Sequence, residues 1–327
     1  MCFLSYDFKN ELEKFPHSKN HNPLQFPNKL CIEVEQKIDS TNLVFEPIIN
    51  QPSITIKPTI SKEEYITQFE NIKQHIQQGD IYEINYCITF EAENVSINPF
   101  NLFQKLNSIS LAPYSALAKL DNRWIICASP ELFLHKKETS IYTKPIKGTA
   151  KRGDSSLNDE AIKQLLFNNH KERNENVMIV DVCRNDLSQI ATKGSVNVDK
   201  LYDIESYQQV HQMVSTVSCK TKPTIQFSEI LKATFPMASM TGAPKIKAME
   251  LADDYEFYNR NAYSGALGYT ETNGDFMLNV LIRSIFYNEE TKYLSFSVGS
   301  AVTSMANAED EYEECLLKAK AMRNVLI

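Results

Sequence analysis

Tyr65, Phe69, Ile72 and Ile76 recur at the three- and four-residue spacing of one helix face, between Ser61-x-x-Glu64 and Gly79. Serine and glutamate at that offset form a capping box and glycine closes a last turn, so the spacing predicts a helix from Ser61 to Gly79. The period then changes to two. Ile84, Tyr86, Ile88 and Phe90 alternate with Asn85, Cys87 and Thr89, the pattern of a strand with two unlike faces. Shorter strands are predicted at 124–127, 132–135 and 140–143, then a helix opening near Asn158 with Ile162, Leu165 and Leu166 inward. The apolar runs 178–182, 210–217, 277–285 and 293–298 read as strands, and 225–235, 245–254 and 308–325 as helices. In residues 1–58, Pro16, Pro23, Pro27, Pro47, Pro52 and Pro58 punctuate short apolar runs, which predicts a small β-rich lead-in before one body over 59–327. Helices and strands alternate irregularly, so a single α+β body of mostly antiparallel sheets with outer helices is expected.

Composition narrows the chemistry. With 43% hydrophobic and 23% charged residues among 327, the chain has ample material for a core. A net charge of -7 argues against a general nucleic-acid or anionic-membrane surface. An acidic protein that binds an anionic metabolite needs local cations or a metal. The seven cysteines (Cys2, Cys31, Cys87, Cys127, Cys183, Cys219, Cys315) are scattered, without a CxxC pair, and are expected to be reduced thiols in a cytoplasm. No apolar run approaches the roughly 18 residues of a membrane span, and no signal peptide is recognisable. Neither a G-x-G-x-x-G turn nor a Walker lysine loop is present, so nucleotide binding is unsupported.

Two acidic pairs stand out: Glu172 with Glu175, at the end of a predicted helix, and Glu311 with Glu314, at the start of another, with Lys318 four residues on. Three-residue spacing puts each pair on one helix face. Converging carboxylates suit a hard cation such as Mg²⁺, while either pair alone equally fits a solvated helix end. Lys147 lies between Pro145-Ile146 and Gly148-Thr149, a rigid approach and a tight turn that would fix an otherwise ordinary lysine. As a nucleophile it must be neutral, which calls for a pKa lowered by burial or a nearby cation. Glu131 reads either as a surface carboxylate or as a general acid kept protonated by its surroundings. His211 sits in an apolar run and reads on its own as a core histidine. Arg283, at the end of a buried strand, calls for an anion, and Tyr263 either donates to that anion or packs.

The ordered segments Ser129-Pro130-Glu131-Leu132-Phe133, Pro145-Ile146-Lys147-Gly148-Thr149, Glu172 to Asp181, Arg184-Asn185-Asp186-Leu187 and Glu311-Tyr312-Glu313-Glu314 resemble the chorismate-binding enzymes over roughly residues 60–327. The resemblance implies two facing antiparallel sheets with helices outside and the active site between them, here with a shortened N-terminal region and no expected feedback by tryptophan. It implies Glu131 as the acid that protonates the departing 4-hydroxyl of chorismate, and Lys147 as an amine that adds at ring carbon 2. Glu175 and Glu314 match direct Mg²⁺ ligands, with Glu172 and Glu311 in support. Tyr263, Arg283, Lys318 and backbone near Gly299 match binders of the pyruvyl carboxylate. Thr149 belongs to the lysine segment and is placed with the substrate binders, and His211 and Thr241 match residues of the ring pocket.

Within the family the lysine points to the branch that makes 4-amino-4-deoxychorismate. Members of the anthranilate branch typically read P-I-A-G-T, and E-H where this chain has Glu175-Asn176. The isochorismate and salicylate branches carry a base lysine where this chain has Glu83, so direct water attack loses its base. Ala238 replaces a family glycine in Pro236 to Lys245, which puts the local turn in question. No amidotransferase module is recognisable, so a separate glutamine amidotransferase is expected to supply ammonia. The alternatives are an anthranilate synthase component I and a non-catalytic chorismate-binding regulatory subunit.

Overall fold

The computed structural model describes residues 1–15, 22–36, 53–207 and 210–327; Pro16, Pro47 and Pro52 of the lead-in lie outside them. The chain begins with β1 (Cys2–Leu4), α1 (Lys9–Leu12), β2 (Lys29–Cys31), β3 (Lys57–Pro58), α2 (Lys62–Gln78), β4 (Glu83–Ala92) and α3 (Pro99–Ser110). Five strands follow: β5 (Tyr114–Leu120), β6 (Arg123–Ser129), β7 (Leu132–Lys137), β8 (Ser140–Lys144) and β9 (Ile146–Lys151). Next come α4 (Ser156–Phe167), α5 (His170–Ser188), β10 (Asn197–Ser206), β11 (Val210–Lys220), α6 (Phe227–Thr234), β12 (Gly242–Ala243) and α7 (Lys245–Tyr255). The last part holds β13 (Ala266–Thr270), β14 (Phe276–Val280), β15 (Ser284–Asn288), β16 (Tyr293–Thr303) and α8 (Ala308–Leu326).

These strands form a nine-stranded sheet, β10-β11-β8-β7-β14-β13-β1-β2 with β9 on β11, and a seven-stranded sheet, β12-β4-β16-β15-β6-β5 with β3 on β4. The pairings are antiparallel. The expected α+β architecture of two antiparallel sheets with helices is therefore what the chain adopts.

The period-two pattern of β4 decides which way the site faces. Ile84, Tyr86, Ile88 and Phe90 join the core under α2, α3, α7 and α8, whereas Cys87 joins the core shared with the other sheet. Glu83 and Asn85 share the face of Cys87, because side chains alternate along a strand. Helix α2 carries the predicted capping box at Ser61 and Glu64, and Gly79 closes it in the left-handed conformation. It packs Tyr65 against β16, where the hydroxyl meets Ser300 Oγ at 2.8 Å. Each large side chain buried in this way stabilises the fold by about 1.5–3 kcal/mol.

Two of the places where the chain passes from one sheet to the other carry a candidate residue. It passes from β6 to β7 through Pro130-Glu131, and from β14 to β15 through Leu281-Ile282-Arg283. The crossings lie side by side, with Val280 N donating to Glu131 O and Ala128 N to Arg283 O, both at 3.1 Å.

Four local expectations change. Residues 178–182 are the middle of α5, not a strand: Ile179, Val180, Cys183 and Leu187 bury one helical stripe. A short apolar run fits a buried strand or a buried helix equally well, and here the capping Asn169 opens one long helix. Glu172 and Glu175 accordingly stand near the start of a helix. The run 277–285 is two strands, broken at Arg283, which takes a left-handed φ of 51°. Leu165 faces outward, 72% exposed, while Leu166 is buried. Ala238 opens a 3-10 turn (Ala238–Met240) and is absent from the positive-φ positions, so alanine fits where the family has glycine.

Candidate active site

A cavity of about 1210 Å³ opens between the sheets, lined by Glu131, Lys147, Thr149, Glu172, Glu175, Tyr263, Arg283, Gly299, Glu314 and Lys318 among others. Lys147 comes from β9 and reaches across to β4. Its Nζ lies 2.6 Å from Glu83 Oε1 and 3.7 Å from Glu175 Oε2. Gly148 makes this reach possible with a φ of 85°, and a Cβ there would sit 3.0 Å from Glu172 Oε2. Burial pulls the Lys147 pKa down, but the charges of Glu83 and Glu175 and the hydrogen bond to Glu83 outweigh it, so the amine is held above its ordinary value. The lowered pKa required of a nucleophile is thus not the resting condition. Lys147 rests as an ammonium, with a carboxylate at hydrogen-bond distance to receive its proton.

Glu131 sits at the first crossing, fully buried. Burial raises its pKa to about 7, against the lowering effects of the Ser239 hydroxyl and the Lys147 charge. Ser239 Oγ donates to Glu131 Oε1 at 2.5 Å and fixes the carboxyl. Arg283, at the second crossing, makes no side-chain hydrogen bond or ion pair among the described residues, and burial lowers its pKa. A largely desolvated guanidinium with no carboxylate at ion-pair distance among the described residues has the chemistry to receive an anion. On β16, a Cβ at Gly299 would come within 2.7 Å of Asn85 Nδ2, so only glycine fits there without a shift. Lys318 donates to the Gly299 carbonyl at 2.8 Å and pairs with Glu314 at 2.7 Å.

Three of the four carboxylates converge from α5 and α8 on one lysine. Lys171 Nζ lies 2.6 Å from Glu311, 3.8 Å from Glu314 and 3.9 Å from Glu175. Glu175 Oε1 and Glu311 Oε2 are buried without a hydrogen-bond partner. Burial, with Glu83 and Glu172 adding to it against the Lys147 and Lys171 charges, raises Glu175 to about 7. Among the described residues no three acidic, histidine or cysteine side chains form a ready metal cluster. The donor chemistry nevertheless fits a hard divalent cation: oxygen ligands, two of them unsatisfied, with an ammonium on the shared ground.

Three of the sequence candidates lie outside the cavity wall. His211 is fully buried and bonds Asp159 Oδ1 and Ser206 Oγ, each at 2.8 Å, while its neighbours Val210 and Gln212 line the cavity. It is the core histidine that its apolar run suggested, because strand alternation turns it away from the ligand side. Thr241 spends its hydroxyl on the Met237 and Ala238 carbonyls, and Met240 faces the cavity instead. Glu311 is buried beneath Lys171.

Ser239 and Lys171 escaped the sequence reading, as did the pairing of Glu83. Ser239 stood inside the Pro236 to Lys245 segment, and Lys171 four residues before Glu175 was a visible helical pair. Part of the motif content is structural. Lys245 Nζ donates to Asp186 at 2.6 Å and to the Thr234 and Pro236 carbonyls, tying α7 to α5. Arg260 is buried against Glu256 and donates to the Met240 and Asn85 carbonyls, holding β4 to the 3-10 turn.

A family model described as chorismate binding enzyme matches residues 17–324. The Arabidopsis thaliana protein named aminodeoxychorismate synthase, chloroplastic, is 38% identical over 288 residues, 86% of this chain and 31% of that protein. Aminodeoxychorismate synthase component 1 of Bacillus subtilis (strain 168) is 35% identical over 257 residues, 79% of this chain and 54% of that one. The chain thus spans about a third to a half of the length of these relatives. The crystal structure of anthranilate synthase component I from Streptococcus pneumoniae TIGR4 superposes with a TM-score of 0.82 at 25% identity, over 99% of this chain and 80% of that one. No helix among the described residues is long and apolar enough to cross a membrane. With the family model spanning nearly its whole length and sequence relatives 38% and 35% identical over most of it, the chain belongs to the chorismate binding enzymes.

Proposed function

We propose that this chain aminates chorismate at ring carbon 4, giving 4-amino-4-deoxychorismate. The observation that carries the reading is the buried Lys147 amine, 2.6 Å from Glu83, in the same cavity as a Glu131 whose pKa is raised to about 7. Lys147 passes its proton to Glu83 and adds at ring carbon 2. The ring double bond shifts and the 4-hydroxyl departs as water with the proton of Glu131. Ammonia then adds at carbon 4, the double bond shifts back and the Lys147 amine leaves. Arg283 and Tyr263 receive the pyruvyl carboxylate. Glu175 and Glu314 would hold Mg²⁺, with Glu172 and Glu311 in support, and the ion would supply positive charge to the ring carboxylate of the substrate. The bacterial relative's name, component 1, supports a second component that delivers ammonia, which we take to be a glutamine amidotransferase.

The deciding experiment incubates the purified chain with chorismate, Mg²⁺ and an ammonium salt. Chorismate should disappear without release of pyruvate or fluorescent anthranilate, and 4-aminobenzoate should form only when a separate lyase is added. Stoichiometric pyruvate from the chain alone, with anthranilate in step, overturns the reading in favour of an anthranilate synthase.

The acid role of Glu131 fixes a pH dependence. Below about 7 the carboxyl is protonated and able to donate, so kcat/KM should fall as pH rises above about 7. Glu131→Gln should lose that limb and roughly 10²–10⁴-fold in rate. Stability follows the same group: the unfolded carboxyl releases its proton near 4.5 and the folded one at about 7, so between them the native state binds more protons and loses stability as pH rises. An unchanged profile in Glu131→Gln would remove it from the acid role.

A further inference from the structure

Away from the active site, the two thiols of the first strand pair stand close enough to react. Cys2 of β1 and Cys31 of β2 are directly opposite in the antiparallel ladder, and their Sγ atoms are 2.9 Å apart. The neighbouring pair, Met1 and Ile32, exchanges both backbone hydrogen bonds, at 2.9 and 3.0 Å. Hydrogen-bonded and non-bonded pairs alternate along an antiparallel ladder, so Cys2 and Cys31 form a non-bonded pair. That class brings Cα atoms to about 4.5 Å and side chains closest together, inside the Cα range of about 4.4–6.8 Å that disulfides occupy.

The two thiols differ in access. Cys31 is exposed and Cys2 is fully buried, and the other five cysteines are buried. Among the described residues, strand β2 is the outermost of its sheet and pairs with β1 alone, whereas β1 also pairs with β13. Just beyond β1, Tyr6 N donates to Asn261 O at 2.7 Å. The strand that Cys2 belongs to is therefore bonded to the segment leading through Tyr263 and Gly265 into β13.

We propose that Cys2 and Cys31 form a reversible thiol–disulfide pair that staples the edge strand β2 onto β1 when low-molecular-weight disulfides accumulate. The exposed Cys31 thiolate attacks one sulfur of a disulfide such as oxidised glutathione, forming a mixed disulfide and releasing one thiolate. Cys2, whose thiol burial keeps protonated, gives its proton to the released small thiolate as its sulfur attacks Cys31 Sγ and expels the second. Two protein thiols are oxidised and one small disulfide is reduced to two thiols, with no other reactant. Because the link joins residues 29 apart in sequence, it constrains the unfolded chain as well as the sheet edge.

The test equilibrates the purified full chain with oxidised or reduced glutathione, alkylates free thiols under denaturing conditions, and maps the peptides. Oxidation should yield a Cys2–Cys31 linked peptide with the loss of two hydrogen atoms, reversed by dithiothreitol, and should raise Tm by a few degrees. Cys31→Ser, at an exposed position, and Cys2→Ala, which keeps the buried site apolar, should each abolish both changes while folding as the parent does. A glutathione adduct persisting at Cys31, a link between other cysteines, or a Cys2–Cys31 link without a Tm change would overturn the proposal. None of these outcomes depends on turnover, so the result stands apart from the assignment of the reaction.

Discussion

Replacing Lys147 with alanine is expected to lower ammonia-dependent turnover of chorismate by roughly three orders of magnitude or more. The amine is delivered into the cavity by β9 and held there by Glu83 and Glu175. The substitution also strips the buried Glu83 of its cation and leaves Glu175 with Lys171 at 3.9 Å, and a buried carboxylate left without its cation costs about 3–5 kcal/mol when nothing compensates. Lys147→Arg separates the two effects. A guanidinium keeps the positive charge but cannot be deprotonated, so it preserves the fold's electrostatics and not the nucleophile. The arginine variant should melt close to the parent and remain inactive. During turnover without ammonia, peptide mass analysis of the parent should find the substrate ring on Lys147. Full rate in Lys147→Ala together with no adduct in the parent would dispose of the covalent route.

Glu175→Gln and Glu314→Gln should each abolish Mg²⁺-dependent turnover. Both side chains line the cavity, and Glu175 carries an oxygen that is buried without a partner. Glutamine keeps the shape and removes the anionic ligand, so apparent Mg²⁺ affinity should fall by more than about 100-fold, beyond the 10–100-fold typical of supporting residues. Glu172→Gln and Glu311→Gln belong to the milder class. Magnesium titrations of activity separate the two groups, and chelation should silence the parent reversibly. Indistinguishable titrations for the parent and both Glu175→Gln and Glu314→Gln would sink the metal assignment.

The parts of the molecule set by local rules were legible in the sequence. Ser61 and Glu64 cap α2 as their spacing predicted, Gly79 closes it, and the alternation of β4 gives both of its faces. Glu131, Lys147, Glu175, Tyr263, Arg283 and Glu314, singled out in the sequence, all line one cavity. What failed was the part decided at a distance. The segment 178–182 carries no periodic signal long enough to separate strand from helix, so α5 emerged only from its cap and its buried stripe. Thr241 belongs to a recognised motif but turns its hydroxyl onto backbone, because register and not residue type decides which side chains meet a ligand. The resting charge of Lys147 was out of reach for the same reason: Glu83 precedes it by 64 residues and meets it only across the gap between the sheets.

That gap has a consequence for redesign. Many enzymes place their chemistry on loops, where exchange of a loop exchanges the reaction. Here Glu83 and Lys147 belong to strands of different sheets, so in the proposed mechanism the choice of nucleophile is written at two framework positions whose backbones cannot be regrafted without dismantling the sandwich. Altered specificity is therefore accessible by side-chain substitution on an unchanged scaffold, but not one position at a time. A library that varies residue 147 while keeping Glu83 samples partners for a buried carboxylate more than it samples nucleophiles, and positions 83, 131 and 147 must be varied together for their coupling to be searched.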